Sequence, residues 1–445
     1  MRLMTQEAAS TALAPSADDS LARRYQALLA GQCRDAEQWL AGQLARVDGL
    51  RDDLPTSPWQ LEAWVGEHAE RVAQDYAAYL AARRQGASRR YFANRAQALW
   101  FLQQVAPTKA VDGAWLHGTL RHWRDPRYHG LIRTFLEELG DGDPRCNHVL
   151  IYQRLLSRLG CLEPLPLDDG RYLQGALQLA LGQHGDRFLA EVIGYNFGYE
   201  QPPLHLLITT QELAELGIDG HYFQLHVTID NAASGHARKS LQTLRQLWPQ
   251  AGGEAFYQRV RRGYRLNALG IDTPSLIASF DLEGELLAAL ERKRAFGRLM
   301  HADHCRLQGR TINQWLSTAE AMPGFLQALQ RQGWVCRGQD PARSRLWSLI
   351  EGPNAAMFGV FSAYEKQLWH DWIAGDWPGA RVSRVAPGSW QAEMAPGERD
   401  DAHARALPLE ALIQRMAGNR HALPEGLRAT RAYAHATGLA QEEPH

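Results

Sequence analysis

Residues 221–240 read HYFQLHVTIDNAASGHARKS and place three histidines and one aspartate within sixteen residues. The stretch reads as a helix, and on a helix His226 and Asp230, four residues apart, stand one turn above each other on one face. Helix bundles present metal ligands inward with this spacing. Imidazole together with carboxylate suits iron, manganese or zinc. For this pair alone, a core histidine hydrogen-bonded to a neighbouring aspartate is an equally good reading. The rest of the chain has to decide between them.

Outward from that stretch, helical periodicity dominates from residue 20 onward. Leu61, Trp64, Val65, Val72, Tyr76, Tyr79 and Leu80 recur mostly at three- and four-residue steps, while Glu62, Glu67, Glu70, Arg71 and Arg83 fall on other faces. This predicts a surface helix over 60–84 with one buried stripe. Further helices are expected at 35–48, 89–105, 127–139, 144–159, 171–183, 186–199, 203–216, 274–296, 318–331, 355–374 and 408–417, separated by turns rich in Gly, Pro and Asp. Alternating strand patterns are almost absent, so the expected class is all-α. The expected organisation is a disordered leader over 1–20, an N-terminal helical region over 21–110, a core over 111–300, and a C-terminal helical extension over 301–445 with a loop near 376–407.

Two helix ends bear on chemistry. After Glu137 and Glu138, LGDGDP at 139–144 interrupts the helix, and Asp143-Pro144 reads as the cap and first residue of the next one, with His148 near its first turn. Glu200 precedes Gln201-Pro202-Pro203 and so sits at the C-terminus of its helix, where the macrodipole disfavours an acid. An acid in that position suggests a specific partner.

Composition narrows the function. The chain has 445 residues, 45% of them hydrophobic, enough for a sizeable core. Its 48 Lys and Arg against 49 Asp and Glu give a formal net charge of -1, so no basic field recruits nucleic acid or an anionic membrane, and a small-molecule partner is the default. Five scattered cysteines, none in CxxC spacing, argue against a disulfide framework or a zinc ribbon and fit a cytoplasmic location. No signal-peptide core and no run of about 18 apolar residues is present.

Collected in order, the candidate metal ligands and catalytic residues are Glu138, His148, Glu200, His226, Asp230 and His236, with Glu137 competing with Glu138 for the first acid. Three carboxylates against the four positive charges of two divalent ions make a dinuclear inventory, and the mixed N/O set suits iron. The blocks EELGDGDPRCNHVLIYQRLL at 137–156, FLAEVIGYNFGYE at 188–200 and HYFQLHVTIDNAASGHA at 221–237 resemble the heme-oxygenase-like diiron oxidases, a family of iron-containing redox enzymes. The resemblance covers roughly 115–270.

That resemblance implies a heme-oxygenase-like bundle holding two Fe(II) ions, with dioxygen as co-substrate. The implied substrate is small and organic, often derived from amino acids or fatty acids, and the implied outcomes are N-oxygenation, desaturation, C–C cleavage or decarboxylation. It leaves room for an external electron donor and a homodimer. The family often carries its last histidine three residues after the aspartate, but position 233 is Ala here and the next histidine is His236. On a straight helix His236 lies about 80° round from His226, so ligation requires a bulge or unwinding, for which Gly235 is the soft point.

Tyr195, Asn196 and Tyr199 beside Glu200 could line a substrate pocket or hydrogen-bond the ligands, and Asn231 reads as a supporting or structural neighbour of Asp230. Three carboxylates against two ferrous ions leave a site near +1, which predicts an anionic substrate. Two other readings stay open. One is a heme-type or metal-free enzyme on the same bundle, and the other is a non-catalytic helical scaffold or interaction protein.

Overall fold

The computed structural model describes residues 20–201, 203–229, 235–249, 252–352, 354–377 and 403–440. Asp230 and Asn231, nearly all of the expected leader, and most of the expected loop near 376–407 lie outside the described residues. The protein is all-α; among the described residues the one sheet is a hairpin of β1 (Arg306–Leu307) and β2 (Arg310–Thr311). No helix among them is long and apolar enough to cross a membrane.

The chain begins with α1 (Leu21–Leu29), α2 (Ala36–Arg46) and α3 (Leu61–Arg84). On α3 the expected stripe faces inward, with Leu61 and Tyr79 buried and Trp64, Val65, Val72, Tyr76 and Leu80 half-buried. Next come α4 (Arg95–Gln104) and the single turn α5 (Ala106–Lys109), followed by a 3-10 segment over Ala114–His122. Asn94 caps α4 by accepting from the Gln97 amide, which starts that helix six residues later than the expected 89.

The central helices are α6 (His129–Glu138), α7 (His148–Arg158), α8 (Leu173–Gln183), α9 (Leu189–Tyr199), α10 (Leu204–Glu215), α11 (His221–Ile229), α12 (His236–Gln246) and α13 (Gly253–Arg265). The stretch 221–240 is therefore not one helix. α11 ends at Ile229, and Gly235, with φ -67° and ψ 174°, is extended immediately before α12. The start expected at Asp143-Pro144 also moves, because Asn147 rather than Asp143 supplies the cap of α7.

Beyond lie α14 (Thr273–Ala278), α15 (Leu282–Gly297), α16 (Ile312–Trp315), α17 (Met322–Arg331), α18 (Arg345–Ile350), α19 (Ala363–Ala374), α20 (Leu409–Met416) and α21 (Pro424–Thr437). The single helix expected at 274–296 splits at Asp281, whose carboxylate caps α15. The helix expected from 355 starts instead at Ala363, behind a capping box of Ser362 and Glu365.

Packing cuts across sequence order. One apolar core joins α1 and α2 to the 3-10 segment, α6, α8, α9, α12, α13, α20 and α21, through residues such as Tyr25, Leu40, Trp115, Phe135, Leu177, Ile193, Leu241, Tyr257, Ile413 and Tyr433. A second joins α4, α7, α10 and α11 to the helices between α14 and α19, through Phe101, Tyr152, Leu213, Phe223, Leu286, Leu326 and Trp369. Helices α6, α9 and α12 belong to the first core and α7 and α11 to the second. Polar side chains from these five helices meet at the seam, shielded from water by apolar packing on both sides.

Candidate metal centre

Glu138 is the last residue of α6, and the chain then makes a tight turn through Gly140 (φ 61°), Asp141 (φ 51°) and Gly142 (φ 85°). A Cβ on Gly140 would lie 2.4 Å from the Cys146 carbonyl carbon, so the turn folds directly onto the approach to α7. Asn147 closes it by accepting from the Leu150 amide at 3.1 Å and donating to the Leu139 carbonyl at 3.2 Å. His148, first in α7, thereby comes to face Glu138, with its Nδ1 2.6 Å from Glu138 Oε2.

A further acid enters from a loop. Asp112 lies between α5 and the 3-10 segment, and Gly113 beside it has φ 82°, with space for a Cβ blocked by the Glu138 Cβ at 2.9 Å. Only a glycine lets the Asp112 backbone come so near Glu138. Asp112 Oδ1 accepts from the Tyr199 hydroxyl at 3.0 Å, Oδ2 accepts from the Tyr222 hydroxyl, and Oδ2 is 3.4 Å from His226 Nε2. Tyr222 also sits one turn before His226, and its carbonyl accepts from His226 Nδ1 at 2.9 Å. The proton is thus assigned to Nδ1, and the Nε2 lone pair faces Asp112.

Glu200 caps the C-terminus of α9, and His236 opens α12. His236 Nδ1 is 3.1 Å from Glu200 Oε2 and 3.4 Å from Glu138 Oε1, while its Nε2 meets Glu137 Oε2 at 2.8 Å. Glu137 also pairs with Lys239 and, at 3.5 Å, with Arg133. Of the two competing acids, Glu138 faces the cluster and Glu137 orients His236 from behind.

Two groups of possible ligands result: Asp112, Glu138, His148 and His226, and Glu138, Glu200 and His236. In each group the ligand atoms lie within 4.8 Å of one another, and Glu138 is common to both. Donor atoms about 2.0–2.2 Å from one metal ion can be at most about 4.4 Å apart, so each group is near the compactness that ligation needs. Asp112, Glu138, His148, Glu200 and His236 are 2% exposed or less, and His226 is 8% exposed.

Whether these residues fit a metal is tested by their unused valences. Glu138 Oε2, His148 Nδ1, Glu200 Oε1 and His226 Nε2 are all buried without a hydrogen-bond partner among the described residues. The close approach of His148 Nδ1 to Glu138 Oε2 is misaligned for a hydrogen bond, as it is when two donors point at a third atom. Such orphans are rare in protein interiors and costly, whereas a cation among them would use every one. The oxygen and nitrogen donor set suits iron.

The charges agree. Burial alone raises the Asp112 carboxyl, but the group is held well below the ordinary carboxylate range, with the charge of Lys109 the largest opposing cause. Burial likewise opposes ionisation of Glu138, yet His148 keeps its pKa low, while Glu200 is raised by burial despite His236. The imidazoles of His148 and His236 are disfavoured as cations by burial, and are nevertheless shifted upward by Glu138 and by Glu200 respectively. A cation bound through either ring would compete with a proton for the ligand nitrogen, so metal affinity should fall as the pH falls.

The remaining expected residues separate. Tyr199 hydrogen-bonds Asp112, whereas Tyr195 donates to Gln174 Oε1 at 3.0 Å, and Asn196 accepts from Trp115 Nε1 at 2.6 Å and donates to Ser240. Tyr195 and Asn196 thus tie helices together. Asp112 is absent from the ligands expected from sequence; its one local signal is the Asp-Gly pair in VDGAWLHG at 111–118.

Residues 99–268 match the model of a family described as iron-containing redox enzyme. No curated protein and no solved structure gives a significant match.

Proposed function

Residues 99–268 belong to the iron-containing redox enzyme family, and we propose that the chain holds two ferrous ions with which it oxidises a small organic substrate by dioxygen. The observation that carries this reading is the set of four orphaned ligand atoms in two groups that share Glu138. Asp112, His148 and His226 would hold one ion, Glu200 and His236 the other, and Glu138 both. Asp230, outside the described residues, remains part of the proposed set.

When bound, the iron pair supplies electrons and open coordination positions for dioxygen activation. The protein's own part is placement. Tyr199 and Tyr222 each hold one oxygen of Asp112, the Tyr222 carbonyl turns His226 Nε2 inward, and Glu137 orients His236. The two apolar cores keep bulk water out. A heme would use one axial ligand and a flat apolar slot, which gives three buried clustered carboxylates no role. A scaffold would give the four buried ligand atoms that lack hydrogen bonds no role.

The substrate argument changes with Asp112. Four carboxylates, counting Asp230, balance the four charges of two ferrous ions, so the surplus of +1 inferred from three no longer exists. Support for a carboxylate-bearing or amino-acid-derived substrate passes to Lys109, a half-buried ammonium that donates to the Tyr199 hydroxyl at 2.9 Å. Oxygen uptake by iron-loaded protein across a panel of amino acids, fatty acids and their amide analogues tests both parts. Carboxylates are expected to trigger uptake and their neutral analogues to fail. Uptake with neutral compounds alone overturns the substrate class, and no uptake with any compound counts against the dioxygen chemistry.

A further inference from the structure

Every described residue of the two ligand groups lies between 112 and 236, yet the turn that joins Glu138 to His148 rests on the far end of the chain. His421, in the short 3-10 turn Arg420–Ala422 between α20 and α21, is fully buried, and its Nδ1 meets Asn147 Nδ2 at 3.1 Å. The direction of that bond is fixed. Asn147 Oδ1 already accepts from the Leu150 amide, so Nδ2 is the group facing both the Leu139 carbonyl and the imidazole. His421 Nδ1 is therefore the acceptor, and the ring proton sits on Nε2. Burial pushes the ring down to about 4, which keeps it neutral and able to accept.

The same turn is held a second time from α21. Arg431 Nη1 donates to the Gly142 carbonyl at 2.6 Å, and a Cβ on Gly142 would meet the Leu427 carbonyl oxygen at 2.5 Å, so helix and turn are in direct backbone contact. One amide, Asn147, thus links three points: the residue after Glu138, the capped start of the helix whose first residue is His148, and His421.

We propose that the C-terminal hairpin α20–α21, which lies outside residues 99–268, is a positioning part of the metal centre, acting through His421 on Asn147 and so on Glu138 and His148. The proposal rests on the metal-binding reading above. His421 is a positioning residue: its acceptor fixes the second N–H of Asn147, the amide fixes both ends of the turn, and the turn sets the spacing of the two ligands. Loss of such an outer partner typically lowers metal affinity by about ten- to hundredfold.

The test is anaerobic titration of the metal-free 445-residue chain with ferrous iron, reading affinity and stoichiometry. His421→Phe fills the space without an acceptor, and His421→Gln returns one. Asn147→Ser keeps a capping oxygen but loses both amide donors. His421→Phe and Asn147→Ser are each expected to weaken the iron equivalent that includes His148 about tenfold or more, and the other, which shares only Glu138 with it, by less. His421→Gln should recover most of the loss, and the double variant should lose no more than either single one.

Wild-type affinity for both equivalents in His421→Phe, alongside loss of one equivalent in a His148→Ala control, would overturn the proposal and leave the metal reading intact. If His148→Ala also binds iron like wild type, the metal reading fails and takes the proposal with it. Should His421→Phe not fold, Asn147→Ser decides alone: unchanged iron binding in that variant overturns the proposal.

Discussion

Replacing Glu138 by Gln is expected to cost the protein both irons. Glu138 is the one side chain common to the two ligand groups, with Oε2 beside His148 Nδ1 and Oε1 facing His236 Nδ1. The amide keeps the size of the side chain but removes its negative charge and converts one ligand oxygen into a donor nitrogen that cannot bind a cation. Affinity at both positions should fall by more than the roughly hundredfold seen for outer partners, and iron-dependent oxygen uptake should vanish. Glu137→Gln is the matched control: of the two ligand groups it touches only His236, from behind, so it should weaken one position by about tenfold. Metal analysis after desalting checks both variants. Retention of two irons by Glu138→Gln would remove it from the shared position.

The second large effect belongs to Asp112. Asp112→Asn should lower the iron content from two per chain to one, because the group formed with Glu138, His148 and His226 loses a carboxylate while Glu138, Glu200 and His236 are untouched. An amide oxygen can still accept from Tyr199 or Tyr222, so the fold around it should survive, and an unchanged thermal transition would show that the loss is one of ligation. His226→Ala should give the same single loss. If Asp112→Asn keeps two irons, Asp112 is an outer anion, and Asp230 would have to complete that position without it.

These two residues also mark how far local sequence reaches. Glu138, His148, Glu200 and His226 sit at helix ends or on helix faces, where periodicity, Gly-Pro breaks and i, i+4 spacing reveal position along the chain, and the structure brings all four to one seam with His236. Asp112 stands in a loop without periodicity, and what carries it to Glu138 is the left-handed Gly113, a contact between residues that are far apart in sequence. The separation of α11 from α12 was legible only as a weak point at Gly235.

The domain layout was least legible. Periodicity tells which face of a helix is buried but not against what, so nothing local predicts that α20 and α21 close the core begun by α1 and α2 while α15 to α19 pack with α4 and α7. His421 shows the consequence: a residue in an apparent extension reaches a capping asparagine 274 positions earlier in the chain.

The central claim, a pair of non-heme irons sharing Glu138, is tested most directly by loading metal-free protein anaerobically with 57Fe(II), desalting it, and combining metal analysis with Mössbauer spectroscopy. The predicted result is two irons per chain, all high-spin ferrous in oxygen and nitrogen coordination, with no heme absorption. One iron or none per chain at saturating Fe(II), or a heme spectrum in the purified protein, would contradict it.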